Sequence, residues 1–258
     1  MNKMIDSHIH LDHYSDEEIE LILTSLDEGY CEKLISVSYD LKSCKRNLKL
    51  ANKHVEVMSA FGFHPEQELP SEHTIKELFS WMEKNKDRMV AIGEVGLPYY
   101  FRTENKSTIK HEAYIELLDA FLKLASQWDK PVILHAVYDD APIVCDLLEK
   151  HYIQNAHFHW FKGDNVTIER MIRNGYYISI TPDVLYEQEI QELVKKYPLE
   201  QLMVETDGPW PFEGIFTGKM TEPKMIHESI SVIAELKKEE ITKIYKTIYG
   251  NTKNFYRI

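Results

Sequence analysis

The chain has 258 residues, a net charge of −12, 43% hydrophobic residues and 28% charged ones. That acidic balance argues against a broad basic grip on nucleic acid, although a nuclease that draws its positive charge from bound metal stays open. No apolar run reaches the roughly 18 residues of a membrane helix, no basic-then-apolar leader precedes the first strand, and Cys31, Cys44 and Cys145 form no pair or framework. The expectation is a cytoplasmic protein with reduced, mostly buried thiols, no membrane attachment and no evident obligate protein partner.

Strand-like and helix-like segments alternate along the chain. The first strand, residues 3–7, leads into Asp6-Ser7-His8-Ile9-His10. The two-residue period of an extended chain puts His8 and His10 on one face. Ser15-Asp16-Glu17-Glu18 fits a capping box ahead of Ile19, Ile22, Leu23 and Leu26 at helical spacing. Strands follow at residues 34–38 and 55–61. Thr74-Ile75-Lys76-Glu77 fits a second capping box, ahead of Leu78, Phe79 and Met82. The strand at 89–94 precedes the clearest helix, which carries Tyr114, Leu117, Leu118, Phe121, Leu122 and Ala125.

Strands at 131–135, 156–159, 176–180 and 201–205 complete a set of eight. Helical patterns lie between them, around Ile143, Val144, Leu147 and Leu148 and around Ile190, Leu193, Val194 and Tyr197. Pro142 and Pro223 sit near helix starts, where a missing N–H does no harm. Lys237-Lys238-Glu239-Glu240 reads as a solvated break between two C-terminal helices.

Eight β–α alternations in a chain of this length predict an α/β protein built as one (β/α)8 TIM barrel over residues 1–258. A doubly wound open sheet would favour a glycine-rich phosphate loop after the first strand, and none is present. His8 and His10, Glu94, His135, His159 and Asp207 all fall at the carboxyl ends of predicted strands, which in a closed barrel converge on one mouth. Alone, each has an ordinary explanation: a polar strand end, a loop carboxylate, a turn residue before Gly208-Pro209. Six together are hard to explain that way.

Four imidazoles and two carboxylates suffice for two divalent ions a few Å apart, with Glu94 able to bridge them. The ligand types suit Zn²⁺, Mn²⁺ or Fe²⁺, while Mg²⁺ would prefer more oxygen. His157 lies two residues before His159, and spacing alone does not choose between them. Histidines 13, 54, 73, 111, 151 and 227 read as structural or surface groups. No Gly-x-Ser-x-Gly elbow or phosphate-cradling loop is present.

Across essentially its whole length the chain resembles the TatD-type metal-dependent hydrolases, commonly called TatD DNases. The resemblance rests on Asp6-Ser7-His8-Ile9-His10-Leu11-Asp12, Gly62-Phe63-His64-Pro65, Gly93-Glu94-Val95-Gly96-Leu97, Val132-Ile133-Leu134-His135, His159-Trp160-Phe161-Lys162-Gly163 and Glu205-Thr206-Asp207-Gly208-Pro209. It implies that His8, His10, Glu94, His135, His159 and Asp207 are metal ligands and that two divalent ions (Zn, Mn or Mg) are bound. It chooses His159 over His157 and places His64 in the substrate pocket.

The chain also departs from the family's usual pattern. Pro98 stands where Gly-Leu-Asp-Tyr-Tyr has its Asp, and Val137 stands where an Arg usually follows the fifth strand. An Arg offers a bidentate phosphate clamp that Val cannot, so Lys162, Arg102 and Lys219 become candidate substitutes. The expected activity is deoxyribonuclease or phosphodiesterase chemistry at the end of single-stranded nucleic acid. A metal-bound hydroxide would be the nucleophile and Asp207 the general base, with Glu94 essential to the metal centre. The alternative keeps the metals and changes the bond to a small phosphoester, lactone or amide. A third possibility is a metal-binding module without turnover.

Overall fold

Runs such as Val132-Ile133-Leu134 and Leu202-Met203-Val204 are apolar and buried at every position, as expected of strands covered on both faces. The computed structural model describes residues 2–28, 30–104 and 110–258. Its elements in chain order are β1 (Met4–Ile9), α1 (Asp16–Ser25), β2 (Cys31–Ser36), α2 (Leu41–Lys53), β3 (Val57–Phe61), α3 (Glu72–Asn85), β4 (Ala91–Gly96), α4 (Tyr99–Glu104), α5 (His111–Trp128), β5 (Val132–His135), α6 (Asp140–Lys150), β6 (Ala156–Phe158), α7 (Asn165–Arg173), β7 (Tyr177–Ile180), α8 (Gln188–Lys196), β8 (Leu202–Val204), α9 (Ile226–Lys237) and α10 (Ile241–Tyr256).

The strands pair in parallel in the order β1 to β8. The last then meets the first: Ser7 Oγ donates to the Val204 carbonyl at 2.9 Å, and the Asp207 N–H donates to the His8 carbonyl at 3.0 Å. Asp6, fully buried, completes the seam by accepting the Thr206 N–H at 3.0 Å and hydroxyl at 2.5 Å. The result is the expected (β/α)8 barrel. Among the described residues no helix is long and apolar enough to cross a membrane. All three cysteines are buried and free.

Local signals explain most boundaries. Ser15 makes both hydrogen bonds of its capping box with Glu18. Lys238 ends α9 in the left-handed conformation (φ 55°), so the charged run at 237–240 is the expected break. The second capping box is a correction: Thr74 lies inside α3, and Ser71 is the N-cap, accepting the Thr74 N–H at 3.2 Å. Ser71, which lacks the acidic residue three positions on, caps the helix by its hydroxyl alone. β1 also runs past residue 7 through His8 to Ile9, and β4 past Glu94 to Gly96, whereas β6 ends one residue short of His159. The mainly polar α2 and α7 and the short α4 carried too few apolar residues to be singled out.

The barrel interior is filled in layers. Ile5, Ile35, Ala60, Ala91, Ile133 and Met203 pack with Phe255 and Tyr256, which α10 brings against the barrel. A buried polar chain adjoins them, in which the Tyr256 hydroxyl also lies 3.2 Å from the Ser7 carbonyl. It runs from the Tyr256 hydroxyl to His157 Nδ1 (2.8 Å), from His157 Nε2–H to Ser179 Oγ (2.5 Å), and from the Ser179 hydroxyl to Glu205 Oε2 (2.5 Å). Burial and the nearby His8 and His159 hold the His157 pKa well below the usual imidazole value, so it stays neutral. His157 is therefore committed to the barrel's packing.

Candidate metal centre

Glu94 is fully buried, yet neither of its carboxylate oxygens has a hydrogen-bond partner. A buried carboxylate left unpaired is expensive. Imidazole nitrogens crowd both oxygens without hydrogen-bond geometry. Oε2 lies 3.3 Å from His8 Nε2 and 3.2 Å from His10 Nε2. Oε1 lies 2.6 Å from His159 Nε2, 3.2 Å from His135 Nδ1 and 3.5 Å from His64 Nε2.

Donors around one tetrahedral ion with bonds of about 2.1 Å stand about 3.4 Å apart. His8 Nε2 and His10 Nε2 are 3.4 Å apart, and Asp207 Oδ1 is 3.4 Å from the first and 3.7 Å from the second. Glu94 Oε2 and Asp207 Oδ1 thus both lie 3.2 to 3.7 Å from this pair of imidazole nitrogens, spacings compatible with donors to one ion. On the other side of Glu94, His135 Nδ1 and His159 Nε2 are 3.1 Å apart and complete a three-donor set with Oε1. Three protein donors with one position left over is the pattern of a catalytic ion. The residues present fit divalent metal, and the structure brings all six predicted ligand candidates to this one place.

Backbone geometry aims several of these groups. Asp207 adopts φ 51°, a left-handed conformation that Asp tolerates, immediately after β8. A Cβ on Gly96 would collide with the His135 carbonyl, so only glycine lets β4 and β5 approach so closely at the mouth. His64 accepts the Glu66 N–H at Nδ1 (3.1 Å), which assigns the proton to Nε2, facing Glu94. Burial holds its pKa well below the ordinary value and keeps it neutral.

The titration of the other groups reflects the crowding. Burial and His159 oppose charge on His8, but Glu94 and Asp207 outweigh them and push its pKa up to about 9. Burial likewise opposes charge on His159, yet Glu94 and Glu205 raise it well above the usual value. Burial would raise the Glu94 carboxyl, but the charged His159 and His8 hold it well below the usual range. Without metal, the cluster therefore stores protons on nitrogens that must be bare to bind an ion. Metal affinity should rise steeply from about pH 6 to about pH 9 and then level off. Calorimetry of Zn²⁺ uptake in buffers of different ionisation enthalpy checks this; the same heat in every buffer would mean that no protons leave.

Sequence reasoning missed several features around this centre. His13, read as structural or surface, stacks on His10 with centroids 5.1 Å apart, and Tyr39 stacks on His64 at 5.1 Å. Glu66, two residues after His64, puts Oε1 3.0 Å from His135 Nε2. Tyr99, Tyr100, Trp160 and Trp210, which the sequence already offers as aromatics that pack the barrel mouth or stack on bases, form with the unforeseen Tyr138 a strip along the segments after β4, β5, β6 and β8, with neighbouring centroids 4.9 to 6.0 Å apart.

The candidate phosphate binders fare differently. Arg102 is committed to Asp139 (3.0 Å) and Asp140 (2.9 Å), and Lys219 lines a separate cavity with Tyr30, Met225 and Tyr245. Lys162 lies over the Trp160 ring at 4.7 Å, and Val137 is buried.

Comparison with known proteins agrees with this geometry. A family profile described as "TatD related DNase" matches residues 5–257. An uncharacterized metal-dependent hydrolase of Haemophilus influenzae is 40% identical over 256 residues, covering 99% of this chain and 100% of that one. A human protein named "Deoxyribonuclease TATDN3" is 28% identical, covering 96% and 92% of the two chains. The crystal structure of YjjV, a TatD homologue from Escherichia coli, superposes with a TM-score of 0.89 at 28% identity and covers 100% of both chains. A barrel whose mouth gathers four histidines, Glu94 and Asp207, and whose sequence matches that profile almost from end to end, belongs to the TatD family of metal-dependent hydrolases.

Proposed function

We propose that the protein is a phosphodiesterase of the deoxyribonuclease type, acting on single-stranded DNA from an end. His8, His10, Glu94 and Asp207 would hold one divalent ion, and Glu94, His135 and His159 a second, of Zn²⁺, Mn²⁺ or Mg²⁺. The observation that carries this reading is the orphaned, fully buried Glu94 carboxylate with imidazole nitrogens gathered 2.6 to 3.3 Å away on both sides. The ions supply Lewis acidity and lower the pKa of water, as paired metals do in phosphoryl transfer.

The chain's own groups do the rest. Asp207, held as a carboxylate, accepts the proton of the attacking water and returns it to the leaving oxygen. Neutral His64 donates its Nε2–H to a phosphoryl oxygen as charge builds there. The strip from Tyr99 to Trp210 offers ring faces on which bases stack without sequence preference. The name of the human relative supports the choice of bond.

The test is degradation of end-labelled single-stranded DNA with Mg²⁺, Mn²⁺ or Zn²⁺. Stepwise shortening from one end, abolished by EDTA, is the expected result. A second reading, a small phosphoester, lactone or amide, is favoured by buried Val137 and by the commitment of Arg102 to two aspartates. A metal-loaded protein that leaves DNA intact but turns over such a substrate would establish it.

A further inference from the structure

The Pro98 carbonyl accepts the Arg102 N–H at 2.8 Å, which makes Pro98 the N-cap of α4. An N-cap side chain normally accepts the N–H of the second or third helical residue, and proline has no acceptor to offer. Glu66 does this instead, from the loop after β3. Its Oε1 accepts the Tyr100 N–H at 3.0 Å and its Oε2 the Phe101 N–H at 2.6 Å. The same Oε1 lies 3.0 Å from His135 Nε2, while His135 Nδ1 faces Glu94 and His159. One largely buried carboxylate thus caps the helix that carries Tyr99 and Tyr100 and also contacts an imidazole of the three-donor set.

We propose that Glu66 is a positioning residue of the metal centre, fixing the Nε2–H tautomer of His135 so that Nδ1 is bare toward the second ion. This rests on the two-ion reading above. An imidazole ligand is oriented and made more basic when its other nitrogen donates to a carboxylate, and losing that carboxylate typically costs 10- to 100-fold in metal affinity. His159 has only a looser counterpart, with Nδ1 3.6 Å from Glu205 Oε1. His8 and His10 have none, since their Nδ1 atoms are unpartnered. The carboxylate support is therefore confined to the side of Glu94 that has three donors, and Glu66 is its main provider. Glu66 also makes the state of that ion depend on the seating of α4, because the two share one carboxylate.

The test is Co²⁺ titration of the full chain, followed by calorimetry and visible absorption, with no substrate present. Wild type should take up two ions. Glu66→Ala should weaken one of them about 10- to 100-fold, change its absorption band and leave the other unchanged. Glu66→Gln keeps an oxygen that accepts the His135 N–H and should recover most of the loss. Adding Pro98→Asp to Glu66→Ala restores a cap to α4 and should not restore the affinity. That separates positioning from capping. Wild-type affinities at both sites in Glu66→Ala, equal weakening of both, or rescue by Pro98→Asp would each overturn the proposal. A wild type that takes up a single ion would overturn the two-ion reading itself, and this shows before any variant is made.

Discussion

Replacing Glu94 by alanine should empty both halves of the centre at once. Metal analysis after dialysis should find neither ion retained, and turnover should fall by at least about 10³-fold, which corresponds to about 4 kcal/mol of transition-state stabilisation. The reason is geometric. Glu94 Oε2 faces His8 and His10 while Oε1 faces His135 and His159, so each oxygen completes a different donor set. Without it His8 and His159 also lose the anion that chiefly supports their charge, and the remaining imidazoles face one another with Asp207, Glu66 and Glu205 at the edges. A variant that keeps two ions after dialysis would show that Glu94 does not bridge them.

Asp207→Asn should separate binding from chemistry. Asparagine keeps the shape and one oxygen donor, and the backbone bond to His8 is indifferent to the side chain. The amide does not take up a proton near neutral pH. The expected result is a 10²- to 10⁴-fold fall in kcat with both ions still bound, the nearer one by a modestly reduced affinity. Single-turnover kinetics beside metal counting reads both quantities. A kcat within about threefold of wild type would remove Asp207 from proton transfer. Unchanged activity of every kind would favour a scaffold over an enzyme.

The parts of this site that the sequence made legible are those governed by a period. His8 and His10 share a face because a strand alternates, and the carboxyl ends of parallel strands meet because a barrel closes. The choice between His157 and His159 was not legible, since both satisfy the same alternation. What separates them is height along the barrel axis: His157 lies level with Ser179 and Tyr256, and His159 reaches Glu94. Glu66 was invisible for a different reason. It sits in an irregular loop, and its three partners come from α4 and β5, which no local pattern relates to it. His13 is a surface residue as expected, and its contact with His10 was invisible because the three-residue 3-10 turn that follows β1 folds it back over that ring. Thr74 was misplaced because a capping motif specifies chemistry and not which of two nearby hydroxyls is used.

The seam between β1 and β8 has a consequence for how the protein is made. Asp6 and Thr206 are separated by 200 residues, and Ser7 and Tyr256 by 249. A ribosome adding 5–20 residues per second delivers Tyr256 roughly 10 to 50 s after Ser7. For most of that interval, until residues 202–207 are made, the nascent chain holds His8, His10, Glu94, His135 and His159 in turn but neither Asp207 nor the strand that closes the ring. A cation arriving then meets an incomplete set of ligands on an open sheet edge. Metal loading is therefore expected to follow release of the finished chain, and an early-terminated product should be both unmetallated and prone to pair its bare edge with a neighbour.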